Sequence, residues 1–276
     1  MGQGMAGRLL SAGFPLTVYN RNRAKADAFA KSGARVANTP SDAAADADVI
    51  LAMVSDDAAS REVWMGANGA LSAARPGTCL IEASTLSVQW VTELAAAAAK
   101  QKCEFLDAPV TGSKPQAAAG QLLFLVGGAA SVLEHVRPVL TAMSRDIIHL
   151  GPTGSGARLK LINNFLCGVQ AASLAEAVSM IHAGGLDPEK SLSVLTGGAP
   201  ASPVIKLISA RAASGDKDIN FMLRLMAKDI GYARDEAKSA GLTSETSSAA
   251  LEIFKKAIDK GHGDEDFSAV VNSLRK

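Results

Sequence analysis

Short apolar runs alternate with alanine-rich stretches through the first half of the chain. Seven runs combine β-branched and aliphatic residues, which predicts strands at residues 16–19, 35–37, 49–53, 78–82, 105–108, 122–126 and 147–150. The stretches between them, such as residues 24–31 and 88–100, predict helices. This alternation predicts a parallel, doubly wound α/β sheet with helices on both faces.

The pattern changes after Leu150. Residues 151–156 form a glycine-rich loop, and no β-rich run follows it. Apolar residues then recur at helical spacing over 157–182, which predicts one long helix ended by Gly184 and Gly185. Further helices are predicted up to Lys276, with breaks at 197–203, 214–218 and 261–263. We therefore predict a Rossmann-like domain over 1–151, followed by an all-helical domain over 152–276 that begins with the long helix.

Composition and charge argue against several classes of protein. The 276 residues are 48% hydrophobic and 20% charged with a net charge of +1, and the basic residues form no stripe suited to nucleic acid. No signal peptide is recognisable, and no apolar run approaches the ~20 residues of a membrane helix. We expect a cytoplasmic protein that binds neither nucleic acid nor membranes.

The cysteines and histidines suggest no metal site. Cys79, Cys103 and Cys167 are widely spaced, as expected of thiols in a reducing compartment. The histidines at positions 135, 149, 182 and 262 lack the spacing of zinc ligands. We predict that the protein binds no metal.

The first residues allow two interpretations. Gly2, Gly4 and Gly7 fit the G-x-G-x-x-G fingerprint of a dinucleotide-binding loop, but that loop follows a strand, and only Met1 precedes it here. In a second register, Gly2 is the third glycine of the fingerprint and packs the first helix against a strand. The first strand, which lies mid-sheet in the usual order, is then missing from this sequence. A chain that began at Met1 would bind the cofactor poorly.

A polar turn follows the strand predicted at 16–19 and bears on cofactor choice. It contains Asn20, Arg21 and Arg23, at the position where NAD-selective sites carry an acidic residue for the ribose 2′-hydroxyl. Arginine there accommodates a 2′-phosphate through bidentate, charged hydrogen bonds. We predict that NADP(H) is preferred and that NAD(H) is possible. The alternative is that the arginines, Arg23 more than Arg21, are solvated side chains.

Four segments, in this order, resemble the motifs of one enzyme family. They are residues 82–85 (EAST), 107–113 (DAPVTGS) followed by 120–122 (GQL), 154–164 (GSGARLKLINN), and Phe221 with Lys228-Asp229. Together they resemble the β-hydroxyacid dehydrogenases, which include 3-hydroxyisobutyrate dehydrogenase and tartronate semialdehyde reductase. Thr111 to Lys114 and the ending at 261–267 look closest to the glyoxylate/succinic semialdehyde reductases. The resemblance covers the whole chain apart from the missing start.

The resemblance implies that Lys160 is the catalytic acid and base. Hydride passes between the nicotinamide and a carbonyl carbon, and the protein manages the charge and proton of the oxygen. The Lys160 ammonium would stabilise and protonate the developing alkoxide, and would accept the proton in the oxidative direction. Asn164, at i+4, would bind the substrate or hold the lysine; Asn163, at i+3, can also share this face. Without the motif, Lys160 would be a surface lysine and Asn164 a core or capping amide.

Thr111, Gly112 and Ser113 are implied to bind the substrate carboxylate. They follow the end of a predicted strand, where open α/β sheets bind ligands, and their amides and hydroxyls could form an anion nest. The family commonly has Ser-Gly-Gly here, so Ser113 and Lys114 depart from the pattern and bear on substrate choice. The alternative is a plain glycine-containing turn.

The remaining site residues are implied by the same motifs. Ser84 and Thr85 would contact the nicotinamide side of the cofactor, although a helix N-cap would also explain them. The other predicted cofactor contacts are Gly2, Val54, Ser55 and Lys228, although the loop at 54–57 lacks the usual Leu-Pro. Phe221 and Asp229 are predicted substrate contacts. The alternative for Lys228 and Asp229 is an ordinary surface pair on a helix.

The sequence therefore predicts an oxidoreductase that transfers hydride between NADP(H) and a small aldehyde acid or hydroxy acid. Glyoxylate, succinic semialdehyde and 3-hydroxyisobutyrate are the candidate substrate types. Two alternatives stay open: an imine reductase, which usually lacks the lysine, and a non-catalytic domain used for assembly. The resemblance also implies a homodimer or homotetramer built through the helical domain.

Overall fold

The computed structural model of the chain describes residues 1–273, which separate into two units. The first is Met1–Lys160 and the second is Leu161–Lys276. The division falls within a long helix, whereas the sequence placed a domain boundary at residues 151 and 152. The last three residues of the predicted domain 152–276 lie outside the described residues.

The first unit alternates short strands with helices. Its strands are β1 (Thr17–Val18), β2 (Arg35–Val36), β3 (Val49–Ala52), β4 (Cys79–Glu82), β5 (Glu104–Asp107), β6 (Val110–Thr111), β7 (Leu122–Gly128) and β8 (Ser144–Gly151). Its helices are α1 (Gly2–Ser11), α2 (Arg23–Asp27), α3 (Pro40–Ala44), α4 (Asp57–Met65), α5 (Val88–Lys100), α6 (Lys114–Ala119) and α7 (Ala130–Thr141). Each of the seven predicted strands is present. The sequence missed β6, because two residues give no readable alternation.

The strands form two sheets rather than one. Parallel strands β1 and β2 pair with each other, and the larger sheet has the order β3-β4-β5-β7-β6, with β8 also paired to β7. The division falls at the place that the first strand occupies in the usual 3-2-1-4-5-6 order. A wholly parallel sheet was a wrong expectation, since β7 runs antiparallel to β5 and β6. The connection from β6 to β7 contains only the short α6, which favours antiparallel return over a long parallel crossover.

Helix α1 packs closely on α6 in the core of this unit. Met5 and Leu9 are buried there with the side chains of β4, β5 and β7. A Cβ on Gly4 would lie 2.8 Å from the backbone of Ala117, so this position requires glycine. Gly2, Gly4 and Gly7 all lie within α1. The first interpretation, in which they form a G-x-G-x-x-G loop, is therefore wrong. Gly2 instead faces Met53, just after β3, as the second register predicts.

The second unit is helical, as predicted. Helix α8 (Ser155–Ala183) crosses the division between the units, and α9 (Pro188–Gly197), α10 (Pro203–Ser214), α11 (Leu223–Ser239) and α12 (Glu245–Asp259) follow, with 3₁₀ helices at His262–Asp264 and Phe267–Asn272. The core of the unit contains Met226, Ile230, Phe254 and Val270, all fully or almost fully buried.

Helix α8 is the one described segment long and apolar enough to span a membrane by length and composition. The expectation that no segment reaches that length is therefore wrong on this criterion. The helices that form the core of soluble proteins pass the same test, and 39% of the apolar window is buried inside the protein. One such helix is weak grounds for a membrane protein.

Candidate active site

The loops after β3 and β4 are joined at the C-terminal edge of the sheet. Ser84, two residues after β4, accepts a hydrogen bond through its hydroxyl from the amide of Val54, 2.7 Å away. Both were predicted to contact the cofactor. Thr85 is half-buried beside them, and Ser55 is exposed, with its hydroxyl bonded to Asp56 at 2.8 Å. The structure thus brings Val54 and Ser84, two of the predicted cofactor contacts, together.

A buried carboxylate supports these loops from below. Glu82, the last residue of β4, accepts hydrogen bonds from Ser60 Oγ (2.6 Å), Trp64 Nε1 (2.8 Å) and the amide of Ser84 (2.9 Å). Trp90 Nε1 donates to the Ser60 hydroxyl at 2.8 Å. Burial raises the pKa of Glu82, and the hydrogen bonds that it accepts oppose the rise. Glu82 was not among the predicted site residues, although an acidic residue that ends an apolar strand is a visible signal.

The polar turn after β1 contains two differently engaged arginines. Arg23 forms an ion pair with Asp27 at 3.3 Å and a hydrogen bond with Asn38, while Asn20 Oδ1 accepts the amide of Asn22 at 2.9 Å. Arg21 is exposed and makes no side-chain hydrogen bond or ion pair within residues 1–273. Arg21 is therefore the guanidinium more available to a ligand phosphate.

The residues of the first unit fit a dinucleotide. Helix α1 begins at Gly2, and its first turn carries no acidic side chain that would repel a pyrophosphate. Arg21 offers a cation after β1, where the ribose phosphate of NADP lies in folds of this type. These residues would hold the two anionic groups of the cofactor, the pyrophosphate and the 2′-phosphate.

The loop predicted to bind the substrate carboxylate, Thr111 to Ser113, makes some of its hydrogen bonds within the protein. Ser113 donates to Gln116 Oε1 through both its amide (3.0 Å) and its hydroxyl (2.8 Å). Gly112 has a φ of +107°, a conformation that strongly favours glycine. The Thr111 hydroxyl makes no hydrogen bond within the described residues and is half-buried at the end of β6. Of the two hydroxyls, that of Thr111 is the more available to a substrate.

Lys160 lies in the second turn of α8 and is 9% exposed. The helix begins just beyond a buried carboxylate, Asp107 at the end of β5, which accepts the amides of Gly154 and Ala157 at 2.8 Å each. A surface lysine, the alternative interpretation of Lys160, would be far more exposed. Asp107 lies within a family motif but was not among the predicted site residues.

In the second unit, three predicted site residues form one polar cluster around a buried carboxylate. Asn164 Nδ2 donates to Asp229 Oδ2 at 2.5 Å, and Lys228 Nζ lies 3.0 Å from Asp229 Oδ1. Asn163 Nδ2 donates to Asn164 Oδ1 at 2.9 Å. Asp229 is 1% exposed, so it is not part of a solvated surface pair. The hydrogen bonds with Asp229 and Asn163 fix the orientation of the Asn164 amide.

Phe221 is held by residues that the sequence analysis did not assign. Asp266 Oδ2 accepts the amides of Asn220 (2.9 Å) and Phe221 (3.1 Å), and Arg211 pairs with Asp266 at 3.4 Å. The Phe221 ring lies 6.0 Å from that of Phe267. The acidic ending at 264–266 was visible in the sequence, but its partners are distant along the chain.

Within residues 1–273, no three histidine, cysteine or acidic side chains come together in a group that could hold a metal ion.

Comparison with known families covers nearly the whole chain. Residues 1–151 match the model for the NAD-binding domain of 6-phosphogluconate dehydrogenase. Residues 154–274 match the model for the NAD-binding region of NADP-dependent 3-hydroxyisobutyrate dehydrogenase. The chain belongs to the β-hydroxyacid dehydrogenase family. As a member of that family, it is an NAD(P)-dependent oxidoreductase of hydroxy acids.

Individual relatives agree with this placement. The chain is 35% identical to NAD-dependent L-serine dehydrogenase of Pseudomonas aeruginosa, over 98% of this chain and 93% of the relative. It is 34% identical to glyoxylate/succinic semialdehyde reductase 2 of Arabidopsis thaliana, over 100% of this chain and 77% of the relative. The solved structure of Mycobacterium tuberculosis 3-hydroxyisobutyrate dehydrogenase with L-serine matches with a TM-score of 0.89 and 34% identity, covering 100% and 96% of the two chains.

Proposed function

We propose that this dehydrogenase prefers NADP(H) and interconverts a small aldehyde acid with its hydroxy acid, using Lys160 as the general acid and base. The burial of Lys160 near the start of α8 carries the proposal, since a buried ammonium with reduced hydration is suited to proton transfer. Glyoxylate, succinic semialdehyde and 3-hydroxyisobutyrate are the substrate types that the family relatives support.

The bound nicotinamide supplies or accepts the hydride at the carbon of the substrate carbonyl or hydroxyl group. In reduction, Lys160 donates a hydrogen bond to the carbonyl oxygen and then transfers a proton to it. In oxidation, neutral Lys160 accepts the hydroxyl proton. The Lys160 ammonium stabilises the negative charge that develops on the substrate oxygen in the transition state. It therefore lowers the reaction barrier in addition to binding the substrate.

The other residues orient the substrate. We assign the Thr111 hydroxyl and the backbone around Gly112 to the substrate carboxylate, because this turn ends at the edge of the sheet with an available hydroxyl group. Asn164 has one amide hydrogen bonded to Asp229 and its oxygen bonded to Asn163, so its second amide hydrogen remains for a substrate oxygen. Phe221 would pack against the carbon chain of the substrate.

The preference for NADP(H) rests on Arg21. Its exposed guanidinium has no partner within residues 1–273, and no acidic side chain occupies the positions 20–23 where a 2′-hydroxyl would be bound. A bidentate arginine contact with a phosphate is strong and charge-assisted. The family match itself is compatible with either nicotinamide cofactor.

Lys160 also separates this proposal from the imine reductase alternative, which was expected to lack the lysine. We further propose a cytoplasmic homo-oligomer. Exposed Ile162, Leu166 and Met180 on α8 support the oligomer, because they leave apolar surface for a second copy to cover.

A substrate panel tests the proposal. Purified protein would be given NADPH with glyoxylate, with succinic semialdehyde and with a cyclic imine, and NADP⁺ with 3-hydroxyisobutyrate and L-serine. We expect turnover with at least one carbonyl acid or its hydroxy acid, and a higher kcat/KM with NADPH than with NADH. Turnover of the imine alone would overturn the proposal, as would equal kcat/KM with both cofactors for the NADP part.

A further inference from the structure

Helix α8 begins at a position that cannot cap itself. Its first helical residue is Ser155, and the preceding Gly154 has a φ of +90°. The serine, threonine or aspartate that usually caps a helix would be strained in this conformation, and glycine has no side chain to accept a hydrogen bond. The amide of Ser155 donates to the nearby carbonyl oxygen of Pro152 at 3.0 Å, but the amides of Gly154 and Ala157 need an acceptor from another part of the chain.

Asp107 supplies that acceptor from the end of β5. Its Oδ1 accepts the amide of Gly154 at 2.8 Å, and its Oδ2 accepts the amide of Ala157 at 2.8 Å. These partners lie 47 and 50 residues further along the chain. Asp107 is completely buried, so both carboxylate oxygens face protein donors rather than water.

Two glycines make room for this contact. A Cβ on Gly156 would lie 2.1 Å from the carbonyl oxygen of Leu125, and a Cβ on Gly127 would lie 2.6 Å from Asp107 Oδ1. The backbone of β7 and the first turn of α8 thus lie too close together for a side chain at position 156. A carboxylate is also the favourable charge at the positive end of a helix dipole.

We propose that Asp107 is a positioning residue for Lys160, an inference that rests on the proposed function. Lys160 follows Ala157, whose amide Asp107 binds, by three residues. At ~1.5 Å per residue, the two are separated by only ~4.5 Å along the helix axis. Asp107 therefore fixes the turn from which the lysine side chain starts, relative to the strand ends that carry Ser84 and Thr111. A displacement of ~1 Å at a reacting group can cost ~10²-fold in rate.

The test combines Asp107→Asn with Lys160→Ala. Asparagine keeps the size of aspartate, but its amide nitrogen cannot accept the second backbone N–H. We expect Asp107→Asn alone to lower kcat by roughly 10- to 100-fold, with an unchanged dissociation constant for NADPH, because only the position of the lysine changes. In the Lys160→Ala background, the same substitution should cost nothing further, since residues that act as a unit are not additive.

The control and a second readout make the outcomes distinct. Asp146→Asn also alters a carboxylate that accepts a backbone amide, but an exposed one, and should leave kcat unchanged. Hydrogen exchange at the amides of Gly154 and Ala157 should be faster in Asp107→Asn and unchanged in Asp146→Asn. If Asp107→Asn does not fold, Asp107→Ser keeps a single small acceptor and takes its place in the cycle.

Two negative results point to different errors. If Lys160→Ala is slow and Asp107→Asn slows it further by the same factor as in the natural protein, Asp107 does not act through the lysine and the inference is overturned. If Lys160→Ala keeps near-natural turnover, the proposed role of the lysine is overturned, and the positioning role falls with it.

Discussion

Arg21 and Arg23, two arginines in one turn, show that neighbouring residues determine whether a charged side chain is available to a ligand. Arg21 and Arg23 were equivalent as charges in the sequence, but Arg23 is engaged by Asp27 and Asn38, whereas Arg21 is exposed without a side-chain partner in the described part of the chain. The structure therefore ranks them as candidate ligands for the 2′-phosphate of NADP(H).

Arg21→Ala should lower kcat/KM for NADPH by roughly 10- to 100-fold, the worth of a charged hydrogen bond, and leave kcat/KM for NADH nearly unchanged. Arg23→Ala is the matched control and should change the ratio less. Steady-state kinetics with both cofactors measures the ratio. An equal loss with NADPH and NADH in Arg21→Ala would argue against contact with the 2′-phosphate.

The cysteines make a second prediction at the residue scale. Burial raises the pKa of Cys79 to about 12, and the nearby Glu104 and Cys103 add to the rise. The thiolate is the reactive form, so Cys79 should resist iodoacetamide at neutral pH until the protein unfolds. Half-buried Cys167 should be alkylated earlier. Peptide mass spectrometry after timed alkylation checks the order, and early labelling of Cys79 would contradict its burial.

At the scale of elements, buried carboxylates join segments that are distant in the sequence. Glu82 joins β4 to α4, Asp107 joins β5 to α8, and Asp266 joins the C-terminal turn to the segment before α11. The apolar runs predicted the strands well, because burial of a strand depends on its own residues. The partners of these carboxylates could not be predicted, because they depend on which distant segments meet. The antiparallel direction of β7 was not predicted for the same reason.

Asp266 yields a prediction about the element that carries Phe221. Asp266→Ala removes the acceptor of three backbone amides, those of Asn220, Phe221 and Ser268. Within residues 1–273 it also leaves buried Arg211 with Asp216 alone as an ionic partner. We expect a loss of about 3 kcal/mol in unfolding free energy, the lower end for a broken buried pair. Hydrogen exchange at residues 220 and 221 should also accelerate.

Asp264→Ala is the control for that change. Asp264 lies in the same turn, but its side chain is 81% exposed and it pairs with Arg224 at the surface. Chemical denaturation of both variants should show a small effect for Asp264→Ala. Equal stability losses would mean that the buried pair does not hold this segment.

The pH dependence of stability tests the Glu82 network. A raised pKa means that the folded state holds the proton more tightly than the unfolded chain, whose carboxyl has an ordinary value of 4.5. The contribution of Glu82 to stability must then fall as pH rises from that value through the raised pKa. We expect the unfolding free energy of the natural protein, relative to Glu82→Gln, to decrease between acidic and neutral pH.

Glu93→Gln provides a control of opposite sign. The pKa of exposed Glu93 is lowered by its hydrogen bonds from Arg61 and Gln89, so its contribution is present at neutral pH and is lost as pH falls. Denaturation curves at several pH values measure both differences. A Glu82 difference that grew with rising pH would contradict the direction assigned to its pKa.

At the scale of the whole molecule, the residues proposed to act fall in both units. Helix α8 contributes Lys160 to the first unit and Asn164 to the second, where Asn164 is hydrogen-bonded to Asp229. The motifs in the sequence predicted the family and the identity of these residues. The buried residues that support them could be identified only from the structure: Glu82, Asp107, Arg211 and Asp266. Many of their contact partners lie far away along the chain, at spacings that match no sequence motif.

The central claim is that Lys160 transfers the proton that accompanies hydride transfer. The most direct measurement is the single-turnover rate of NADPH oxidation at saturating cofactor for the natural protein, Lys160→Ala and Lys100→Ala, an exposed lysine at the end of α5. We predict that Lys160→Ala is slower by roughly 10²- to 10⁴-fold, with unchanged NADPH binding and folding, while Lys100→Ala matches the natural rate. A folded Lys160→Ala protein that binds NADPH and transfers hydride at the natural rate would contradict the account.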